Sequence, residues 1–157
     1  MVKNVLFVCT GNSCRSVMAE HLMRHMLERS GVGVEISSAG VFAIEGMSPT
    51  RETVRVLQEL GLDCSDHRSR RLTMDLVENA DHIFVMEQFQ LDEVIRRFPS
   101  ARDKVHLLRT YALERNQVEN PNIADPIGKP LEVYEVCFAN IREAIERVAG
   151  SMGLRSR

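Results

Sequence analysis

Apolar residues along the chain alternate between short unbroken runs and longer stretches with helical spacing. The short runs are typical of strands buried on both faces, and they cover residues 4–9, 32–38, 82–86 and 105–108. The helical spacing predicts helices over residues 16–30, 48–60, 73–79, 88–98 and 131–152. Strands that alternate with helices favour an α/β fold. We therefore expect a single domain over residues 1–157, with a four-stranded parallel sheet and helices on both faces.

Capping residues set the expected helix boundaries. Ser48 followed by Pro49 is typical of a helix start, with the serine at the cap and the proline in the first turn. Gly61 ends that helix, Thr73 caps the next one, and Pro99 ends the helix after it.

Residues 8–16, Val-Cys-Thr-Gly-Asn-Ser-Cys-Arg-Ser, lie between the first strand and the first helix. Gly11 and Asn12 tolerate the left-handed backbone angles of a tight loop, whose N–H groups then form a concave anion site. The helix N-terminus adds its positive dipole end, and Arg15 can bind two oxygens of a tetrahedral oxyanion. These charges favour the thiolate form of Cys9. The stretch predicts a nucleophile beside a site for three phosphoryl oxygens.

Other interpretations of this stretch are weaker. A cysteine separated from an arginine by five residues is a common coincidence, and Cys9 could be a half-buried thiol at a strand end beside an ordinary surface arginine. Cys9 and Cys14 have a spacing that zinc ligands use, but no second Cys/His pair follows at the distance that structural zinc sites use. The glycine-lysine signature of nucleotide-binding loops is absent from the sequence. We expect no metal and no cofactor.

Composition limits the function classes further. The 157 residues carry a formal net charge of −2, so no general attraction to nucleic acid or to a membrane is expected. The sequence contains no apolar run of transmembrane length and no secretory signal pattern. Four cysteines without a dense spacing pattern fit free thiols in a reducing compartment. A cytoplasmic location is expected.

The sequence VCTGNSCRS resembles the phosphate-binding loop of the low-molecular-weight protein-tyrosine-phosphatase family. The resemblance extends over residues 5–20, 37–40, 60–67 together with Thr73, and 82–87. It implies a phosphatase that acts on a phosphorylated protein or peptide, forms a phosphocysteine and releases inorganic phosphate. The residues that would bind the phosphate are Thr10, Gly11, Asn12, Ser13, Cys14, Arg15 and Ser16.

The same resemblance implies a network that supports this loop, formed by Asn12, Ser16, Ser38 and His67. From the residues alone, Ser16 is also well placed to donate its hydroxyl to the Cys9 sulfur. Each of these residues also has a simpler interpretation. Ser16 could only cap the helix, Ser38 could only end the strand, and His67 could be a solvated loop residue.

Asp125-Pro126 is the second chemical element of the sequence. Proline keeps the preceding aspartate extended, and a loop carboxyl can be a general acid when its site keeps it protonated. The dipeptide is also common in turns. The resemblance favours the acid, because the family carries an Asp-Pro acid ahead of its last helix. Asp125 would protonate the leaving group and then activate water.

The substrate has two candidates. Phosphotyrosine is the first, as the family implies. Ser13 and the Ile127-Gly128 pair after the Asp-Pro dipeptide resemble protein-arginine phosphatases of the same family, which makes phosphoarginine the alternative. Phe42 or Ile44 could supply an apolar wall of the pocket, or could instead pack in the core or within a loop. Val17 replaces the family's usual proline, with little expected effect.

Less favoured functions are an arsenate reductase, which needs further paired cysteines, and a non-catalytic phosphate-binding module. Cys64 and Cys137 form no near pair in the sequence. Cys14 either forms a reversible disulfide with an oxidised Cys9 or packs the loop. The basic segment 67–71 is a docking patch for acidic partners or, more commonly, a solvated loop.

Overall fold

The structure is a computed structural model that describes residues 1–114 and 120–154. At its centre, four parallel strands form one sheet in the order β2-β1-β3-β4. The strands are β1 (Asn4–Cys9), β2 (Glu35–Gly40), β3 (His82–Val85) and β4 (Val105–Leu107). The predicted four-stranded parallel sheet is confirmed.

Five α-helices connect and follow the strands in the described part of the chain. They are α1 (Arg15–Glu28), α2 (Arg51–Gln58), α3 (Met74–Asn79), α4 (Gln88–Arg97) and α5 (Leu131–Ser151), and a 3₁₀ turn covers Pro99–Ala101. None of the helices within residues 1–114 and 120–154 is long and apolar enough to cross a membrane.

Side chains of β1 alternate between two apolar cores, as strand geometry requires. Val5 and Phe7 lie in a core that includes residues of α1, α2 and α5. Leu6 and Val8 lie in a second core that includes residues of α3 and α4. The prediction of helices on both faces is therefore confirmed.

The carboxyl end of β1 lies where the sheet order reverses. From β1 the chain goes to β2 on one side, and β3 then lies on the other side. Such a reversal opens a crevice outside the strand ends, which is where α/β sheets bind ligands. Cys9 pairs with Gly40 of β2 at this edge, so the nucleophile predicted from the sequence lies at the crevice.

Two predicted boundaries are wrong, and tertiary contacts explain both. The strand expected at 32–38 is Glu35–Gly40, because pairing with β1 begins only at Glu35, opposite Asn4, while Val32 is exposed. The N-terminal cap of α2 is Thr50 and not Ser48. The backbone N–H of Thr50 donates to the carbonyl of Ser13 at 3.2 Å. This contact with the loop after β1 moves the start of the helix.

The cap of α3 gives a test of local stability. Thr73 Oγ1 accepts a hydrogen bond from the N–H of Leu76, as predicted, and the side chain is otherwise exposed. Thr73→Ala should lower the free energy of unfolding by about 1 kcal/mol, because one helix N–H loses its partner. Urea unfolding measures this change. Thr73→Ser keeps the oxygen and should match the parent, and equal stability of the alanine variant would contradict the capping role.

Candidate active site

The loop between β1 and α1 is shaped by the amide of Asn12. Asn12 has φ +55° and is fully buried. Its Nδ2 donates to Ser16 Oγ at 2.8 Å and to Ser38 Oγ at 2.9 Å, and its Oδ1 accepts from the N–H of Arg70 at 3.1 Å. All hydrogen-bonding groups of the side chain are thereby occupied, which offsets its burial and fixes the turn.

Glycine is needed at position 40 and not at position 11. The sequence predicts a left-handed conformation for both Gly11 and Asn12, but the φ angle of Gly11 is not positive. A Cβ at position 11 would touch only Ser13 Oγ, at 3.6 Å. At Gly40, a Cβ would lie 2.6 Å from the carbonyl oxygen of Thr10 and 3.0 Å from the nitrogen of Asn12. The loop packs directly against the backbone of β2, which leaves no room for a side chain.

The sulfur of Cys9 lies next to a serine hydroxyl. Cys9 Sγ is 2.9 Å from Ser16 Oγ, and both residues are buried. Because Ser16 Oγ already accepts from Asn12, its own proton is available for the sulfur. A hydroxyl that donates to sulfur stabilises the thiolate over the thiol.

Arg15 is the first residue of α1 and is only 1% exposed. Its Nη1 donates to the Glu87 carboxylate and to the carbonyl of Ile123 at 2.7 Å, while its Nη2 lies 3.6 Å from Asp125 Oδ2. Burial acts to lower the pKa of Arg15, but the charges of Cys9, Glu87 and Asp125 outweigh it and raise that pKa. The site therefore holds a permanent positive charge next to the thiol.

A second layer of polar side chains supports the loop from behind. Ser38 Oγ donates to Glu20 Oε1 at 2.6 Å, and Glu20 Oε2 accepts from Arg24 at 2.8 Å. His67 Nε2 lies 2.9 Å from the backbone carbonyl oxygen of Asn12, so this ring nitrogen carries the proton. Burial lowers the pKa of His67, which favours the neutral ring. The structure thus brings Asn12, Ser16, Ser38 and His67 together around the loop.

Asp125 reaches the same place from the loop before α5. Its Oδ1 accepts from the N–H of Ile127 at 3.0 Å, which leaves Oδ2 facing Arg15. Together with the loop after β1 it encloses a cavity of about 270 Å³. The cavity is lined by Cys9, Thr10, Gly11, Ser13, Cys14, Arg15, Asp125 and Ile127.

Neither Phe42 nor Ile44 lines this cavity, so neither supplies the apolar wall that the sequence left open for them. They are 58% and 66% exposed, and the Arg97 guanidinium lies over the Phe42 ring, 4.8 Å from its centre. Ile127 is the apolar side of the cavity instead. Sequence order could not show which loop faces inward.

The four cysteines are all buried free thiols. Cys14 Sγ lies 3.5 Å from Thr50 Oγ1 and 3.7 Å from the Tyr134 hydroxyl, so in this structure Cys14 packs the loop. A reversible disulfide between Cys14 and an oxidised Cys9 stays a prediction. Burial raises the pKa of Cys64 to about 11 and that of Cys137 to about 12. Within residues 1–114 and 120–154, no three His, Cys, Asp or Glu side chains converge as metal ligands.

The basic segment 67–71 is partly held against the backbone near the phosphate loop and partly exposed to solvent. Besides His67, Arg70 Nε donates to the carbonyl of Ser38 at 2.9 Å and Arg71 Nε to that of Ala43 at 3.1 Å. Arg70 and Arg71 therefore hold the backbone around the phosphate loop, while Arg68 and much of Arg71 are exposed.

Sequence reasoning missed four polar or small residues at this site: Glu20, Gly40, Glu87 and Gln90. Gly40 meets the loop after β1, so spacing along the chain gave no signal for it, and the contact of Glu20 with Ser38 is equally non-local. The pairing of Glu20 with Arg24, four residues on in α1, could have been noticed. The Glu87-x-x-Gln90 pattern before α4 resembles a capping box and could have been noticed.

Gly40→Ala should disturb catalysis more than folding. The added methyl must push the Thr10 and Asn12 backbone away from its position, and small misplacements at reacting atoms cost about ten- to a hundredfold in rate. We expect kcat/KM to fall by about that factor on a phosphorylated substrate. Gly33→Ala is the matched control, since a Cβ there meets nothing within 4 Å. Equal kcat/KM for the two variants would contradict the role of Gly40.

Comparison with known proteins agrees with this geometry. Residues 4–155 match the family described as low molecular weight phosphotyrosine protein phosphatase. The chain is 38% identical to a protein-arginine-phosphatase of Geobacillus stearothermophilus, covering 95% of each chain. It is 36% identical to a probable low molecular weight protein-tyrosine-phosphatase, EpsP, of Ralstonia nicotianae, covering 93% of each.

Among solved structures, a YwlE mutant from Bacillus subtilis superposes with a TM-score of 0.88 at 32% identity, covering 96% of this chain and 99% of that one. A family match over nearly the whole chain, supported by these relatives, decides the assignment. The chain belongs to the low-molecular-weight phosphotyrosine phosphatase family, whose members are cysteine-based phosphomonoester hydrolases acting on phosphoproteins.

Proposed function

We propose that this chain is a protein phosphatase that works through a phosphocysteine intermediate on Cys9. The observation that carries the proposal is the shared cavity at the end of β1, which Cys9, Arg15 and Asp125 line together. A nucleophile, a fixed cation and a carboxyl group around one space are what phosphoryl transfer through cysteine requires.

In the first step the Cys9 thiolate attacks phosphorus and the bond to the leaving group breaks. Arg15 and the inward N–H groups of the loop hold the three equatorial oxygens, whose charge grows in the transition state. Asp125 donates its proton to the leaving oxygen or nitrogen. Its side chain is partly exposed and lies at the cavity wall, on the side where a leaving group would depart.

In the second step water attacks the phosphocysteine. Asp125, now ionised, accepts the proton of that water, and the P–S bond breaks to return the Cys9 thiolate and release inorganic phosphate. Ser16 supports the departing sulfur through the hydroxyl that lies 2.9 Å away. The scheme needs neither metal nor cofactor, since Arg15 and the backbone dipoles supply the positive charge.

Of the two candidate substrates, we infer that phosphoarginine fits the cavity better. Among the residues that the structure describes, those lining the cavity include no aromatic ring that could stack on a phenyl group. They do include the hydroxyl of Ser13 and the carboxyl group of Asp125, whose oxygens can accept hydrogen bonds from a guanidinium group. The name of the Geobacillus stearothermophilus relative supports the same choice.

Phosphotyrosine is the second candidate. The description of the family names it, and the EpsP relative is 36% identical. Ile127 is the observation that favours it, because this half-exposed apolar side chain could cover one face of a phenyl ring.

The expected partners are a phosphorylated protein or peptide and inorganic phosphate. A cytoplasmic location stays a prediction, and the four free thiols support it, since such thiols persist in reducing compartments.

Asp125→Asn should separate chemistry from binding. With a phosphorylated peptide, kcat should fall by about 10²- to 10⁴-fold, because the leaving group is no longer protonated. The Kd of inorganic phosphate should stay equal or decrease, since a carboxylate 3.6 Å from Arg15 no longer competes for it. Cys9→Ser is the companion variant and should show no turnover. Turnover by that variant would disprove the phosphocysteine mechanism.

The substrate choice is tested at Ser13. Phosphoarginine and phosphotyrosine peptides of the same sequence are compared by kcat/KM. The parent should prefer phosphoarginine, and Ser13→Ile should reduce this preference by about ten- to a hundredfold, the usual loss for one hydrogen bond to a charged group. Ser13→Thr keeps the hydroxyl and should retain the preference. A parent enzyme that prefers phosphotyrosine would select the second candidate instead.

A further inference from the structure

A fully buried glutamine lies behind the phosphate cavity and has no part in the steps above. Gln90 is in the first turn of α4. Its Oε1 accepts hydrogen bonds from the N–H of Met86 at 2.8 Å and of Glu87 at 3.0 Å. Its Nε2 donates to Thr10 Oγ1 at 3.0 Å. One side chain thus connects the turn after β3 with the residue that follows the nucleophile.

Chemistry fixes which end of this amide faces Thr10. Two backbone N–H groups point at one end, and only an oxygen can accept from them. The NH₂ group must therefore be the end that faces Thr10, so an amide flip is excluded by the backbone. Gln90 is consequently a donor to Thr10 and not an acceptor from it.

This direction decides what the Thr10 hydroxyl can do. Because Oγ1 accepts from Gln90, the hydroxyl proton has to point elsewhere. Within residues 1–114 and 120–154, no protein atom accepts that proton in a hydrogen bond, and Thr10 lines the cavity beside Cys9 and Arg15. The proton is therefore free for an oxyanion in the cavity, which offers only acceptors.

The same turn also carries the partners of Arg15. The carbonyl of Met86 accepts from the N–H of Ile123 at 2.8 Å, and the carbonyl of Ile123 accepts from Arg15. The Glu87 carboxylate is the second partner of Arg15. Gln90 binds the backbone of Met86 and Glu87, so it joins this arginine-holding turn to Thr10.

We propose that Gln90 is a positioning residue that fixes the Thr10 hydroxyl as a hydrogen-bond donor to the bound phosphoryl group. The proposal rests on the proposed function only in taking the cavity as the phosphate site. Thr10 is then a phosphate ligand through its side chain, in addition to its backbone N–H, and Gln90 acts through it.

The alternative is that Gln90 only caps α4. Gln90→Glu separates the two roles, because a carboxylate still accepts both backbone N–H groups but cannot donate. The Thr10 hydroxyl would then turn its proton toward Glu at position 90 and withdraw it from the cavity. Helix capping is kept while the hydrogen bond to Thr10 is reversed.

The test is the Kd of inorganic phosphate measured by calorimetry on the full chain. Thr10→Val and Gln90→Glu should each weaken binding by about ten- to a hundredfold, as expected for one hydrogen bond to a charged group. In the double variant the two losses should not add, since Gln90 acts only through the hydroxyl. Thr10→Ser should bind phosphate like the parent.

Gln88→Glu is the matched control for the added negative charge. Gln88 is exposed, lies two residues earlier on α4 and contacts Asp92. Its variant should bind phosphate within about twofold of the parent, because exposed charges are screened by solvent and salt.

Three results would overturn the proposal. The first is a Kd of phosphate that is unchanged in Thr10→Val. The second is a Gln90→Glu variant that binds phosphate as tightly as Gln88→Glu does. The third is a loss of phosphate affinity on Gln90→Glu that is just as large when Thr10 is replaced by valine. The first does not depend on the folding of any Gln90 variant. Failure of the proposed function would look different, because the parent would then bind phosphate without turning over either phosphopeptide.

Discussion

The site depends on one buried amide, that of Asn12. The side-chain oxygen of Asn12 accepts from the N–H of Arg70, so the side-chain NH₂ group must donate to the hydroxyls of Ser16 and Ser38. Each hydroxyl then directs its own proton away from Asn12, one toward the Cys9 sulfur and one toward Glu20. A single side-chain orientation thus shapes the turn and decides the direction of the hydrogen bonds beneath the nucleophile.

The same logic governs the other side of the loop. Arg15 is buried against the turn after β3, where Glu87 and the carbonyl of Ile123 hold it. Burial of a cation is costly unless partners compensate, and here these acceptors and Asp125 do so. The arginine is consequently held in place before any oxyanion arrives, which reduces the reorganisation that catalysis would otherwise require.

Much of the fold was predictable because its signals are local. Buried strands and amphipathic helices each have their own periodicity, and the cap of α3 at Thr73 was identified correctly. The predictions failed where a distant contact overrode a local preference. Thr50 replaces Ser48 as a cap because its backbone meets Ser13, and β2 is shifted because its register with β1 brings Gly40 beside Cys9.

The sequence by itself determined the reactive unit, because Cys9, the loop and Arg15 are neighbours along one strand, turn and helix. Family resemblance added Asp125, Ser38 and His67 as candidates. Only the tertiary structure decided which side chains meet: Glu87 with Arg15, Gln90 with Thr10, and Ile127 rather than Phe42 at the cavity. These contacts join segments whose proximity follows from strand order and helix packing, and no local pattern encodes that proximity.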